Sequence, residues 1–71
     1  MEKAIIALAS AMAIAVTGLA TAWAQSRIGS AGAGAVAEKP EVSGTIIILM
    51  AIPETVVILG FVVAIMIILG I

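Results

Sequence analysis

Two long stretches of this chain carry almost no polar residues. Residues 4 to 26 are 23 positions without a charge, and residues 42 to 71 are 30 positions with one, Glu54. Each exceeds the roughly 20 apolar residues that carry an α-helix across a ~30 Å hydrocarbon core. Between them lies the polar run Glu38, Lys39, Pro40, Glu41. Pro40 has no backbone N–H and cannot continue a helix from Glu38 and Lys39, but it suits the first turn of the next one. The pattern predicts an all-α helical hairpin in one unit: helix one over about 4–37, a tight polar turn at 38–41, and helix two over about 42–71. At about 1.5 Å per residue the first helix reaches ~51 Å and projects beyond the bilayer at its turn end. Arg27 then lies near an interface, where its side chain can snorkel.

The two helices differ in bulk. Of the 34 residues from 4 to 37, twenty are Gly, Ala or Ser, against four of the 27 from 45 to 71. Gly18, Ala22, Ser26, Ser30 and Gly34 recur at four-residue intervals, and small residues let helix backbones approach closely in lipid. An alanine-rich span also yields such a stripe by chance, but this one continues into the charged flank, which favours packing. The slim helix suits a crowded inner wall and the bulky one an outer wall facing lipid.

Composition narrows the class. With 71 residues, 65% of them hydrophobic and 10% charged, and a mean hydropathy of +1.43, the chain belongs among membrane proteins rather than soluble domains. It has no cysteine and no histidine, hence no disulfide framework, no thiol nucleophile and no usual transition-metal ligand set. Three scattered basic residues and a net charge of −1 give no footprint for nucleic acid. The N-terminus also has features of a secretory signal: Lys3, an apolar stretch, and Ala22 and Ala24 in an A-x-A pattern before Gln25. Glu2 beside Lys3 is poor for a signal, and the small-residue stripe crosses the cleavage point unbroken, so the segment is read as a retained helix.

The chemistry concentrates at Glu54. An ionisable side chain inside a span costs on the order of 2.5–3.5 kcal/mol on insertion scales and marks function by default. Removal from water disfavours a charged carboxylate, so such a group holds a proton or a cation whenever it faces lipid. It is neutral when loaded and charged when empty, as an ion carrier requires. Gln25 lies 15 residues before Pro40 and Glu54 lies 14 after it, which sets the two side chains at nearly one depth on antiparallel helices. Gln25 is the only amide side chain of the protein; its oxygen can coordinate a cation and its NH₂ can donate to the carboxylate. Thr55 adds a hydroxyl, which competes with a bond back to its own helix. Pro53 leaves the Leu49 carbonyl without its usual donor, and the local kink is expected to turn the Ile52 carbonyl towards the site.

The stretch "AQSRIGSAGAGAVAEKPE" followed by "IPETVVILGFVVAIMI" resembles the c-type rotor proteolipid, also called K- or L-type, of archaeal and bacterial A/V-type ATP synthases over about residues 17–68. That family has a Gly- and Ala-rich first helix, a polar turn ending in Pro-Glu, and a "PET" that carries the membrane carboxylate. The resemblance implies a symmetric homo-oligomeric rotor ring in a prokaryotic plasma membrane, first helices inside and second helices outside. It places the ion-binding carboxylate on Glu54, the helix-one glutamine on Gln25 and the hydroxyl neighbour on Thr55. It also implies that the turn, Glu38, Lys39, Pro40 and Glu41, faces the cytoplasm and docks on the central stalk. A separate stator subunit of the a/I type would supply an arginine that strips the ion from Glu54. Ion passage turns the ring, and the ring drives ATP synthesis or, in reverse, pumps ions. The protomer itself catalyses nothing and needs no cofactor beyond its bound ion.

The ion is expected to be a proton rather than sodium. Several relatives have a tyrosine five residues after the glutamate that buttresses a sodium site, and here that residue is Leu59. Glu54, Gln25, Thr55 and a backbone carbonyl still offer the oxygen ligands a hard cation prefers. Lys3 at one end and Arg27 and Lys39 towards the other lean to a cytoplasmic turn by charge asymmetry. An alternative of a different class is an accessory or pore-forming hairpin without ion-coupling chemistry. An enzyme has no support, because the site offers no nucleophile–base pair.

Overall fold

The computed structural model describes residues 1–71 as an antiparallel pair of helices. Helix α1 runs Glu2–Glu38, a 3₁₀ turn covers Pro40–Val42, and helix α2 runs Ser43–Leu69. Alanine has the highest helix propensity, and the alanine-rich first span needs little else to stay helical. Glu2 in its first turn complements the positive end of the helix dipole.

The turn follows from one residue. Proline excludes the α region for the residue before it, and Lys39 accordingly takes φ −135, ψ 87 while its N–H closes α1 on the Ala35 carbonyl at 2.8 Å. Pro40 then opens the 3₁₀ turn, tied by Val42 N–H to Lys39 O at 3.0 Å and by the Ser43 hydroxyl to Pro40 O at 2.6 Å.

The second helix, expected to run to residue 71, stops at Leu69. Gly70 takes the left-handed conformation at φ 74, and the N–H groups of Gly70 and Ile71 return to the carbonyls of Ile67 and Met66 at 3.3 and 2.9 Å. This paired closure satisfies carbonyls that the helix end leaves open. The remaining bounds lie within two residues of the sequence expectation.

The hairpin measures 55 × 17 × 8 Å. Its long dimension is that of α1, whose 37 residues at about 1.5 Å each give ~55 Å. Only 5 of 71 residues are buried, and Ala64 is the one hydrophobic among them. No apolar core therefore holds the helices together in water; Ile47, Leu59 and Phe61 all point outward. Close backbone approach joins them instead. A Cβ on Gly32 would stand 2.5 Å from Ile46 Cγ2, and one on Gly60 would fall inside the Thr17 side chain. Two hydroxyls sewn across the seam complete the contact: Ser10 donates to Ala64 O at 2.8 Å and Thr21 to Pro53 O at 2.8 Å.

Candidate ion-binding site

Pro53 sits inside α2. Lacking an N–H, it leaves the carbonyl one turn back without a donor, and α1 brings side chains to this stretch. Gln25 Nε2 donates to Met50 O at 3.2 Å and to Glu54 Oε2 at 2.9 Å. One helical turn away, the buried Thr21 hydroxyl holds the Pro53 carbonyl. The levelling of Gln25 with Glu54 inferred from residue counts is thus realised as a direct hydrogen bond.

The geometry assigns each atom of the pair a part. Both amide hydrogens of Gln25 are engaged, one by the α2 backbone and one by the carboxylate, so the amide is fixed with its nitrogen towards Glu54. Glu54 Oε2 accepts that bond. Glu54 lies exposed on the surface of the hairpin, while Gln25 is half-buried behind it.

Two other expected members are placed differently. The Thr55 hydroxyl donates to the Ile52 carbonyl at 2.7 Å, so the two engage each other rather than Glu54 or Gln25. The reason is local: a threonine hydroxyl readily bonds back along its own helix. The Ile52 carbonyl, expected to turn to the site, here accepts the Thr55 hydroxyl. Conversely, Thr21 and the Met50 carbonyl, both absent from the sequence reading, are part of the arrangement. A signal for Thr21 existed, since Ser10, Thr17, Thr21 and Gln25 follow spacings of seven, four and four residues along α1, the repeat of one helix face.

The small-residue stripe does not line the seam. Four residues turn a helix by about 400°, so each step drifts about 40°. Gly18 still faces α2, with Val57 Cγ2 3.9 Å from where a Cβ would stand. Ala22, Ser26, Ser30 and Gly34 are exposed, and a Cβ on Gly34 would meet nothing within 4 Å. The turn residues Glu38, Lys39, Pro40 and Glu41 are all exposed at one end of the hairpin.

These features define a class: a membrane hairpin that carries one carboxylate midway along its second helix, gripped by an amide from the first. A profile of the family of ATP synthase C subunits matches residues 8–67. The A-type ATP synthase subunit K of Methanocaldococcus jannaschii is 39% identical over 61 residues, which cover 86% of this chain and 28% of that protein. The chain therefore spans little more than a quarter of the length of this curated relative. The chain belongs to the ATP synthase C-subunit family, and it is a membrane protein with two apolar helices long enough to cross a bilayer.

Proposed function

We propose that this chain is the ion-carrying unit of the rotor ring of an A/V-type ATP synthase. Copies stand side by side with α1 inside and α2 outside, and Glu54 carries a proton through the membrane. The observation that carries this reading is the 2.9 Å hydrogen bond from Gln25 Nε2 to Glu54 Oε2 between two spans that are otherwise nearly apolar. An acid placed in lipid by chance would lack a dedicated partner at its own depth.

The preference for a proton rests on donor directions. Gln25 turns its NH₂, not its oxygen, towards the carboxylate. The Thr55 hydroxyl and Ile52 carbonyl are engaged with each other, and Leu59 offers no hydroxyl. A sodium ion would require Gln25 Oε1 to turn to the site, because a cation needs oxygen ligands. With α1 slim and α2 bulky, the inside–outside arrangement lets many copies close a ring. Ala22, Ser26, Ser30 and Gly34 then offer contact surface to neighbouring copies. A stator subunit of the a/I type supplies an arginine that draws the proton from Glu54. The turn at Glu38, Lys39, Pro40 and Glu41 meets the central stalk on the cytoplasmic side of a prokaryotic plasma membrane.

Labelling with a hydrophobic carbodiimide, which attacks protonated carboxyls in apolar surroundings, tests the reading. Labelling of the intact assembly is expected at Glu54 alone and is expected to persist in sodium at fixed pH. Protection by sodium would replace the proton with sodium. An unreactive Glu54, or the chain present at one or two copies per assembly, would overturn the carrier role.

A further inference from the structure

A threonine hydroxyl inside a span often bonds back along its own helix. Thr17 and Thr55 do so, donating to the carbonyls of Ala13 and Ile52 at 2.6 and 2.7 Å. Thr21 does not. Its hydroxyl leaves α1 and donates to the Pro53 carbonyl of α2 at 2.8 Å, from a position only 4% exposed. The contact is enclosed within one hairpin and needs no neighbouring copy to complete it.

Thr21 grips α2 where its own ladder holds it least. Pro53 has no N–H and removes one rung, and a bend at that point would carry Glu54, the next residue, with it. Two side chains of α1 close on this stretch. Gln25 holds the Met50 carbonyl at 3.2 Å, before Pro53, and Thr21, one turn back along α1, holds the carbonyl of Pro53 itself. That carbonyl shares a planar peptide unit with the nitrogen and Cα of Glu54. Fixing its oxygen therefore fixes the base from which the Glu54 side chain departs.

We infer that Thr21 is a positioning residue for the ion site: its hydroxyl sets the Pro53–Glu54 peptide so that the Glu54 carboxyl stays within reach of Gln25. This role rests on the carrier reading of Glu54 and adds to it a residue that makes no hydrogen bond to Glu54 or Gln25. A second hydroxyl provides the comparison. Ser10 donates to the Ala64 carbonyl, also at 2.8 Å and also from a position 4% exposed. The two donors are eleven residues apart on α1 and their acceptors eleven apart on α2. Both therefore tie the helices in one register, about three turns apart. Ser10, however, lies 15 residues from Gln25, about 22 Å along the axis. A role confined to holding the hairpin together would belong to both hydroxyls; placing Glu54 belongs to Thr21 alone.

The intact assembly, purified and reconstituted, is compared with its Thr21→Val, Thr21→Ser and Ser10→Ala variants. Melting, ion-coupled ATP turnover and the infrared C=O stretch of protonated Glu54 are measured, the band being identified by its loss in Glu54→Gln. That stretch rises in frequency when the carboxyl loses a hydrogen-bond donor. Thr21→Val keeps the branched shape and removes the hydroxyl. It is expected to raise the Glu54 band towards its position in Gln25→Leu and to lower coupled turnover severalfold. Thr21→Ser is expected to keep the wild-type band and turnover. Ser10→Ala is expected to lower the melting temperature as Thr21→Val does, with band and turnover unchanged. Where Thr21→Val does not assemble, Thr21→Ala takes its place with the same expected outcomes. Wild-type band and turnover without the Thr21 hydroxyl, or equal changes in Ser10→Ala, would overturn the inference and leave Thr21 a helix tie. A wild type that lacks the band but loses turnover in Glu54→Gln would replace only the proton, and the turnover comparison then decides on Thr21. Full turnover in Glu54→Gln would overturn the carrier reading itself, and the role of Thr21 with it.

Discussion

In the proposed carrier, Glu54 and Gln25 divide the work of the site between one exchangeable oxygen and one held by the amide. Replacing Glu54 by Gln keeps the size of the side chain and a hydrogen-bonding group but removes the exchangeable proton. Glu54→Gln is therefore expected to abolish carbodiimide labelling and ion-coupled ATP turnover while the assembly still forms; full coupled turnover in that variant would remove Glu54 from the mechanism. Gln25→Leu tests the other half. A hydrogen bond to a charged group contributes about 1.5–3 kcal/mol, and its loss also frees the Met50 carbonyl. Coupled turnover is expected to fall by about tenfold or more, with labelling at Glu54 retained because the acid itself is intact. Unchanged turnover would reduce Gln25 to a helix–helix tie.

At the scale of the element, the seam depends on where the chain has no side chain at all. Gly60 lies against Thr17 so closely that a Cβ has no room, and Thr17 cannot easily swing aside because its hydroxyl is tied to the Ala13 carbonyl at 2.6 Å. Overpacking a close contact costs about 1–3 kcal/mol. Gly60→Ala is expected to lower the thermal stability of the assembly by that order, read as a shift in its melting in detergent. Gly44→Ala, where a Cβ meets nothing within 4 Å, is expected to leave it unchanged. The sequence made heights legible and rotations not. Counting residues from Pro40 placed Gln25 level with Glu54, because a helix converts number into height at a fixed rise. Which face each residue takes was hidden, since α2 is apolar on every side and offers no periodicity to aim it. That is why Thr17 against Gly60, and Thr21 on the Pro53 carbonyl, emerged only from the packed pair. It is also why a stripe counted in fours was read as one face although it winds around α1.

For the whole molecule, the mismatch between the helices sets its position in the membrane. The 27 residues of α2 span about 40 Å and the 37 of α1 about 55 Å, against a hydrocarbon core of ~30 Å. The excess of α1 has to emerge, and the polar residues Glu38, Lys39 and Glu41 fix the turn end as the end that does so. The segment Gly32–Ala37 is small and apolar, so composition alone would bury it, but its far end at Val36 and Ala37 stands about 16–18 Å above the Glu54 level, at or past the edge of a ~30 Å core centred there. A single cysteine in place of Val36 is therefore expected to react with a membrane-impermeant maleimide, and one in place of Ile14, deep beside α2, is not. In sealed vesicles the Val36 position is expected to react only when the cytoplasmic face is outward. Reaction from the opposite face would invert the orientation proposed for the turn, and silence at Val36 from both faces would mean that α1 tilts or that a docked partner covers its end. Repeating the labelling after the stalk subunits are stripped from the membrane separates those two causes, because only a covered cysteine becomes reactive.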